Sequence, residues 1–195
     1  TALEVIEKHG VTHITHCFNA MSGLHQRHPG IVGAALDTKV NCELIADNIH
    51  VDPAAQRILY HAKEGRNIIL VTDSMRAAGM GSGVFELGGQ EVTVKGTRAE
   101  LADGTLAGSV LAMNEAVRNF ARTTRAPIER VVEMVTRTPA EELGMYEETG
   151  SLEEEKRADL TLFDDELNIA ATIVDGHLSY IAAPDALDGE WRNRE

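Results

Sequence analysis

Over the first 75 residues, short apolar runs alternate with stretches whose apolar residues recur every three or four positions. "VTHIT" (11–15) and "CELIA" (42–46) read as strands. "NIILVTD" (67–73) is the clearest strand, with four consecutive apolar residues, as in a strand buried on both faces. Between the last two lies a helix signal. Asp52 can cap it, Pro53 suits its first turn, and Ile58, Leu59 and Ala62 give it an apolar face. Strand, helix, strand at this spacing predicts a parallel sheet with crossovers. The opening "TALEVIEKHG" reads as a helix with Leu3, Val5 and Ile6 to one side. No cap precedes it, as expected of a sequence that starts in mid-protein.

Glycine then dominates. Residues 79–109 hold eight glycines and alternate apolar with polar. This predicts a β-hairpin excursion, with Gly88-Gly89 and Asp103-Gly104 as turns. Ser109 is placed to cap a following helix with Val110, Met113, Val117 and Phe120 inward. Pro127 opens another, with Ile128, Val131, Val132 and Val135 inward. In "TPAEELG" (138–144), Thr138 and Glu141 have capping-box spacing and Gly144 stops the helix. "ADLTLFD" (158–164) and "IAATIVDGHLSYI" (169–181) alternate with period two and predict antiparallel strands in a small β-layer. The last dozen residues are polar and predicted to fray.

Composition changes this picture in a few places. The 195 residues are 43% hydrophobic but only 4% aromatic, so a sizeable core is available and is mainly aliphatic. The formal charge of -13 repels nucleic acid and anionic membrane surfaces. It also repels phosphorylated ligands unless basic residues gather locally. No apolar run approaches the ~20 residues of a membrane span, and no secretory signal opens the sequence. Cys17 and Cys42 fit no zinc motif and read as buried, reduced thiols of a cytoplasmic protein. The run 153–157, "EEEKR", reads as a solvated turn.

Candidate chemistry collects at strand ends. On a helix, His13 and His16 could share an ion; on a strand, residues three apart point to opposite faces. Only one of them can then face a site, and it is His16, at the carboxyl end. His13 reads as a packing or hydrogen-bonded histidine. Asp47 and His50 follow the second strand, and Asp73 tips the third. Three successive strands thus deliver ionisable residues to one end, where α/β folds place their chemistry. Arg27, between His25 and His28 in a loop, can clamp an anionic group or simply be solvated. "DGTLAGS" can bring backbone N–H groups against a ligand, or be only a turn and a cap.

"THCFNAM", "LIADNIHVD", "VTDSMRAAGM" and "LADGTLAGS" together resemble the N-acetylglucosamine-6-phosphate deacetylases of the amidohydrolase superfamily, in family order and spacing to about residue 182. "TPAEELG" followed by "GSL…KRADL" resembles the superfamily's return from barrel to β-sandwich. The resemblance implies an α/β fold: part of a (β/α)8 TIM barrel, strands six to eight, with a small C-terminal β-sandwich portion. Residues 1–145 would be the barrel half, with the hairpin insert at about 80–105. Residues 146–183 would be sandwich strands and 184–195 a polar tail.

By the same resemblance, His16 is a divalent-metal ligand (zinc or iron in the complete enzyme) and Asp73 the catalytic acid/base. Asn19, Ala20, Arg27, Asp47, Asn48, Ile49, His50, Leu106, Ala107 and Gly108 would contact the substrate, Arg27 meeting its phosphate across a dimer interface. The implied reaction is deacetylation of a phosphosugar by a homodimer or larger assembly, without nucleic-acid or membrane partners.

Three features depart from the pattern. The family's other metal ligands, a Glu and a first His, belong to strands that would precede Thr1, so the chain alone is expected to be inactive and to bind metal weakly. Cys17 stands where Leu is usual, and Glu155 where a turn Gly is favoured. Two other readings carry different expectations. An amidohydrolase for a different amide would be indifferent to loss of Arg27. A non-catalytic sugar-phosphate-binding module would bind glucosamine 6-phosphate without turnover.

Overall fold

The computed structural model describes residues 1–182. The expected polar tail, 184–195, lies outside the described residues. Helix α1 (Ala2–His9) is followed by β1 (His13–Ile14), α2 (Gly30–Asp37), β2 (Asn41–Ile45), α3 (Pro53–Ala62) and β3 (Ile68–Val71). Strands β1, β2 and β3 lie side by side in that order, all parallel, with Ile14 opposite Cys42 and Cys42 opposite Ile68. The α/β arrangement and parallel sheet agree with the sequence reading. The first strand is shorter than "VTHIT" suggested: it ends at Ile14 and the chain turns from Thr15.

A three-stranded antiparallel sheet follows: β4 (Gly83–Leu87), β5 (Gln90–Lys95) and β6 (Arg98–Glu100). Gly88 and Gly89 turn its first hairpin, as expected. Helices α4 (Met113–Thr124), α5 (Ile128–Glu133) and α6 (Arg137–Glu142) return the chain to the parallel sheet. The antiparallel strands β7 (Leu160–Phe163), β8 (Ile169–Val174) and β9 (His177–Ile181) close the described region. Among the described residues no helix is long and apolar enough to cross a membrane.

The main core lies between the parallel sheet and its helices. Leu44, Ile45, Ile68 and Leu70 of the sheet pack with Leu59, Phe120, Val131 and Met134, all at most 1% exposed. A smaller core joins Met75, Ala77 and Ala107 to Val92, Val94 and Ala99 of the antiparallel sheet. Lys63 is buried at the end of α3, where Nζ donates to the carbonyls of Thr38 (2.8 Å) and Val40 (2.7 Å). Each carbonyl, where α2 ends and β2 begins, gains a charged donor.

Several local expectations are corrected. Thr1 does cap α1: its Oγ1 accepts from the Glu4 N–H, in a capping box. Asp52 caps α3 as expected, but the inward face is Gln56 and Leu59, and Ile58 is exposed. Ser109 does not cap α4, which starts at Met113 with Ala116, Val117 and Phe120 inward and Met113 partly exposed. Thr138 caps nothing; α6 begins one residue before it, after Thr136. Glu155 takes φ +71°, the left-handed conformation that explains why glycine would suit that turn.

Candidate active site at the carboxyl ends of three parallel strands

His16, Asp47 and Asp73 each lie two residues beyond a strand end, after β1, β2 and β3 respectively. The strands are adjacent and parallel, so all three sit at one end of one sheet. Left-handed backbone recurs at this end, as it does at Glu64 and Asn67 on the other side of the sheet. His16 (φ +30°), Ala20 (+55°), Asn48 (+62°) and Asp73 (+48°) all adopt positive φ, uncommon for residues with a Cβ and a feature that clusters at functional sites.

The His16 segment is held by Glu43, the only charged residue in β2. Its carboxylate accepts from Thr15 Oγ1 (2.6 Å), His16 N (3.3 Å) and His13 Nε2 (3.0 Å). The Cys17 N–H donates to the Glu43 carbonyl at 2.8 Å. Burial pushes the Glu43 carboxyl up, but the bonds from Thr15, His13 and His16 bring it below its ordinary value. His13 is thus a hydrogen-bonded histidine, as its position predicted; its Nδ1 lies 3.5 Å from Glu142. Asn19 closes the turn by donating Nδ2 to the His16 carbonyl at 3.3 Å, and Ala20 follows. His16 Nδ1 is buried and has no hydrogen-bond partner.

Residues 47–50 form one compact turn. Asp47 Oδ1 accepts from the backbone N–H groups of Ile49 and His50, both at 2.8 Å, and Oδ2 lies 2.6 Å from His50 Nδ1. Burial raises the Asp47 carboxyl, but its bonds to the imidazole and the two N–H groups outweigh this and leave it below the usual range. Gln56, fully buried, donates to Asn48 Oδ1 and holds that residue's left-handed backbone. Asn119 donates to the Ala46 carbonyl and fixes the end of β2.

Asp73 is clamped by the loop from Leu106 to Leu111. The Ser109 N–H donates to the Asp73 carbonyl (2.8 Å), the Met75 N–H to the Ser109 carbonyl (2.9 Å), and Ser109 Oγ to the Thr72 carbonyl. Ser74 Oγ donates to the Leu111 carbonyl at 2.7 Å. Gly108, at φ +65°, lies so close that a Cβ there would be 3.3 Å from the Asp73 oxygen. The structure therefore sets Gly108 beside Asp73, while Leu106 and Ala107 run along β6, Leu106 bridged to Glu100 and the Ala107 N–H donating to the Ala99 carbonyl at 3.0 Å. Arg27 stays apart: exposed, it makes no ion pair among the described residues, and its N–H meets His25 Nδ1 within its own loop. His25 and His28 stack across that loop with centroids 5.8 Å apart.

Sequence reasoning missed Glu43, Gln56, Ser74, Ser109 in its observed role, and Asn119. Only Glu43 left a signal, as a charge inside an apolar strand. As for a metal, an unpartnered buried imidazole nitrogen on His16 fits a ligand. Among the described residues no three His, Cys, Asp or Glu side chains form a group that could hold an ion. His13 Nδ1 is likewise buried and without a hydrogen-bond partner, so the residues present do not by themselves make a metal site.

A parallel sheet with imidazoles and carboxylates gathered at its carboxyl edge defines an α/β protein with a candidate site where such folds place their chemistry. The sequence pattern of the Amidohydrolase family matches residues 1–179, and the chain belongs to that family. It is 43% identical over 177 residues to an N-acetylglucosamine-6-phosphate deacetylase of Bacillus subtilis, covering 90% of this chain and 44% of that protein. It is 40% identical over 171 residues to an N-acetylgalactosamine-6-phosphate deacetylase of Escherichia coli O157:H7, covering 87% of this chain and 45% of that one. The crystal structure of the Thermotoga maritima N-acetylglucosamine-6-phosphate deacetylase superposes with a TM-score of 0.86 at 39% identity, over 91% of this chain and 49% of that one. The chain spans about half the length of these relatives.

Proposed function

We propose that this chain forms the carboxyl-terminal half of a metal-dependent deacetylase that hydrolyses N-acetylglucosamine 6-phosphate to glucosamine 6-phosphate and acetate. The observation that carries the reading is the placement of His16, Asp47 with His50, and Asp73 at one end of adjacent parallel strands. In this reading the sheet is part of a (β/α)8 barrel, and β7 to β9 belong to a small β-sandwich. His16 would hold a divalent metal with ligands from outside the described segment. When bound, such an ion polarises the amide carbonyl and acidifies water.

The chain's own residues do the rest. Asp73, fixed by the loop from 106 to 111, takes the proton of the attacking water and returns it to the leaving amine; one carboxylate serves as base and then acid. Asn19, Ala20 and residues 47–50 line the sugar, and Leu106, Ala107 and Gly108 bound it. Arg27 would meet the phosphate, in its own subunit's site or a dimer partner's. Its guanidinium is free of ion pairs among the described residues, which supports that use.

The test is a chimera in which this chain replaces the matching half of the Bacillus subtilis enzyme. A folded chimera is expected to release acetate from N-acetylglucosamine 6-phosphate with added zinc, and Asp73→Asn to lower kcat by about a thousandfold. A folded chimera without activity would overturn the reading. Faster turnover of N-acetylgalactosamine 6-phosphate would reassign the sugar.

A further inference from the structure

Asp47 and His50 sit in the proposed sugar site, but the Asp47 carboxylate is already engaged. Its side chain is 6% exposed and that of His50 8% exposed. Oδ1 accepts two backbone N–H groups and Oδ2 faces His50 Nδ1 at 2.6 Å. A carboxylate bonded this way can only accept, so the proton between the pair belongs to Nδ1. His50 Nε2 bonds to nothing among the described residues. It is the ring nitrogen remote from the bond to Asp47, and so the one left for a ligand.

We infer that Asp47 is a positioning residue that holds His50 as the Nδ1–H tautomer, so that Nε2 meets the ligand as a hydrogen-bond acceptor. The group it takes is then a donor, a sugar hydroxyl or an amide N–H, and not a carbonyl or phosphate oxygen. A histidine tautomer is commonly set through the nitrogen remote from its working atom, with a carboxylate on that side. The inference rests on reading the strand-end pocket as the binding site. Its test does not need turnover.

The geometry makes an unusual demand on Asp47→Asn. Oδ1 must still accept from the N–H groups of Ile49 and His50, so the amide oxygen stays there. The amide NH2 is then left facing His50 Nδ1. It can only donate, so Nδ1 becomes the acceptor and the proton moves to Nε2. The conservative substitution therefore inverts the tautomer without removing a side chain.

Long-range proton–nitrogen NMR on the 15N-labelled chain reads this directly, in mildly alkaline buffer, with His50 assigned from His50→Ala. In wild type, Nδ1 is expected to resonate as a protonated nitrogen and Nε2 as a bare one; in Asp47→Asn the two exchange their shifts. Asp47→Ala serves if the amide variant does not fold: without the carboxylate, His50 should revert toward the Nε2–H form. A wild-type His50 protonated on Nε2, alone or together with Nδ1, overturns the proposal. So does a folded Asp47 variant whose tautomer is unchanged. An inactive chimera with the wild-type tautomer as expected would sink the deacetylase reading and leave this one standing.

Discussion

Replacing Gly108 by alanine should cost more than replacing Gly104, and the difference measures how tightly the Asp73 loop is clamped. Both glycines have positive φ, +65° and +85°. A Cβ in that region costs about 1–2 kcal/mol in backbone strain. At Gly104 that is the whole cost, because nothing lies within 4 Å of the added carbon. At Gly108 the same carbon lies 3.3 Å from the Asp73 carbonyl oxygen and 3.5 Å from Met75 Cβ. That oxygen accepts the Ser109 N–H at 2.8 Å, so moving it a few tenths of an ångström weakens the bond. Losing part of a hydrogen bond worth about 0.5–1.5 kcal/mol adds roughly 1 kcal/mol. Gly108→Ala is thus expected to destabilise by about 2–3 kcal/mol and Gly104→Ala by about 1–2 kcal/mol. Urea unfolding of the three proteins, followed by circular dichroism, gives the comparison. Equal losses, or a larger loss at Gly104, would refute the close approach of the loop to Asp73.

Lys63→Met should cost about 2–3 kcal/mol, because two buried carbonyls lose a charged donor; denaturant midpoints check this. The depressed carboxyls of Glu43 and Asp47 carry a pH signature. A carboxyl held below its unfolded value stabilises the fold above roughly pH 4 and loses that contribution as pH falls through its folded value. Stability should therefore drop in that acid window, and less steeply in Asp47→Asn. Hydrogen bonding to Cys42, together with burial, raises the Cys17 thiol, and both cysteines are 0% exposed. They should react with a chromogenic disulfide reagent only as the chain unfolds; rapid labelling of native protein would contradict the packing. His16→Ala should change zinc affinity little in the isolated chain but strongly in the chimera, by calorimetry, if the segment holds one ligand of several.

Much of the fold was legible because its signals are local. Four apolar residues from Ile68 to Val71 are enough to mark a buried strand, and Asp52-Pro53 to mark a helix start. Paired glycines at 88 and 89 mark a hairpin. The placement of His16, Asp47 and Asp73 was legible as a pattern of strand ends. What failed depended on distant partners. Ser109 looks like a cap until Thr72 is seen beside it, 37 positions away in sequence. Gln56 carries no local sign of burial; its amide is taken up by Asn48, eight positions away, and the Val51 carbonyl. Ile58 and Met113 match an apolar period but lie outside the packed face, because helix phase is set by what the helix rests on.

The account depends on the ends of β1 and β3 facing one pocket. Two strand spacings of roughly 4.8 Å separate them, so residues 16 and 73 should lie about 10 Å apart. The most direct measurement is cross-linking with a bismaleimide of about that span, in a Cys17→Ala, Cys42→Ala background. The double variant His16→Cys, Asp73→Cys should be bridged within the chain. The control His16→Cys, Arg66→Cys should not, because residue 66 precedes β3 at the sheet's other end, roughly 20 Å from residue 73 at about 3.3 Å per residue. Bridging of the control in preference to the strand-end pair would contradict the shared site.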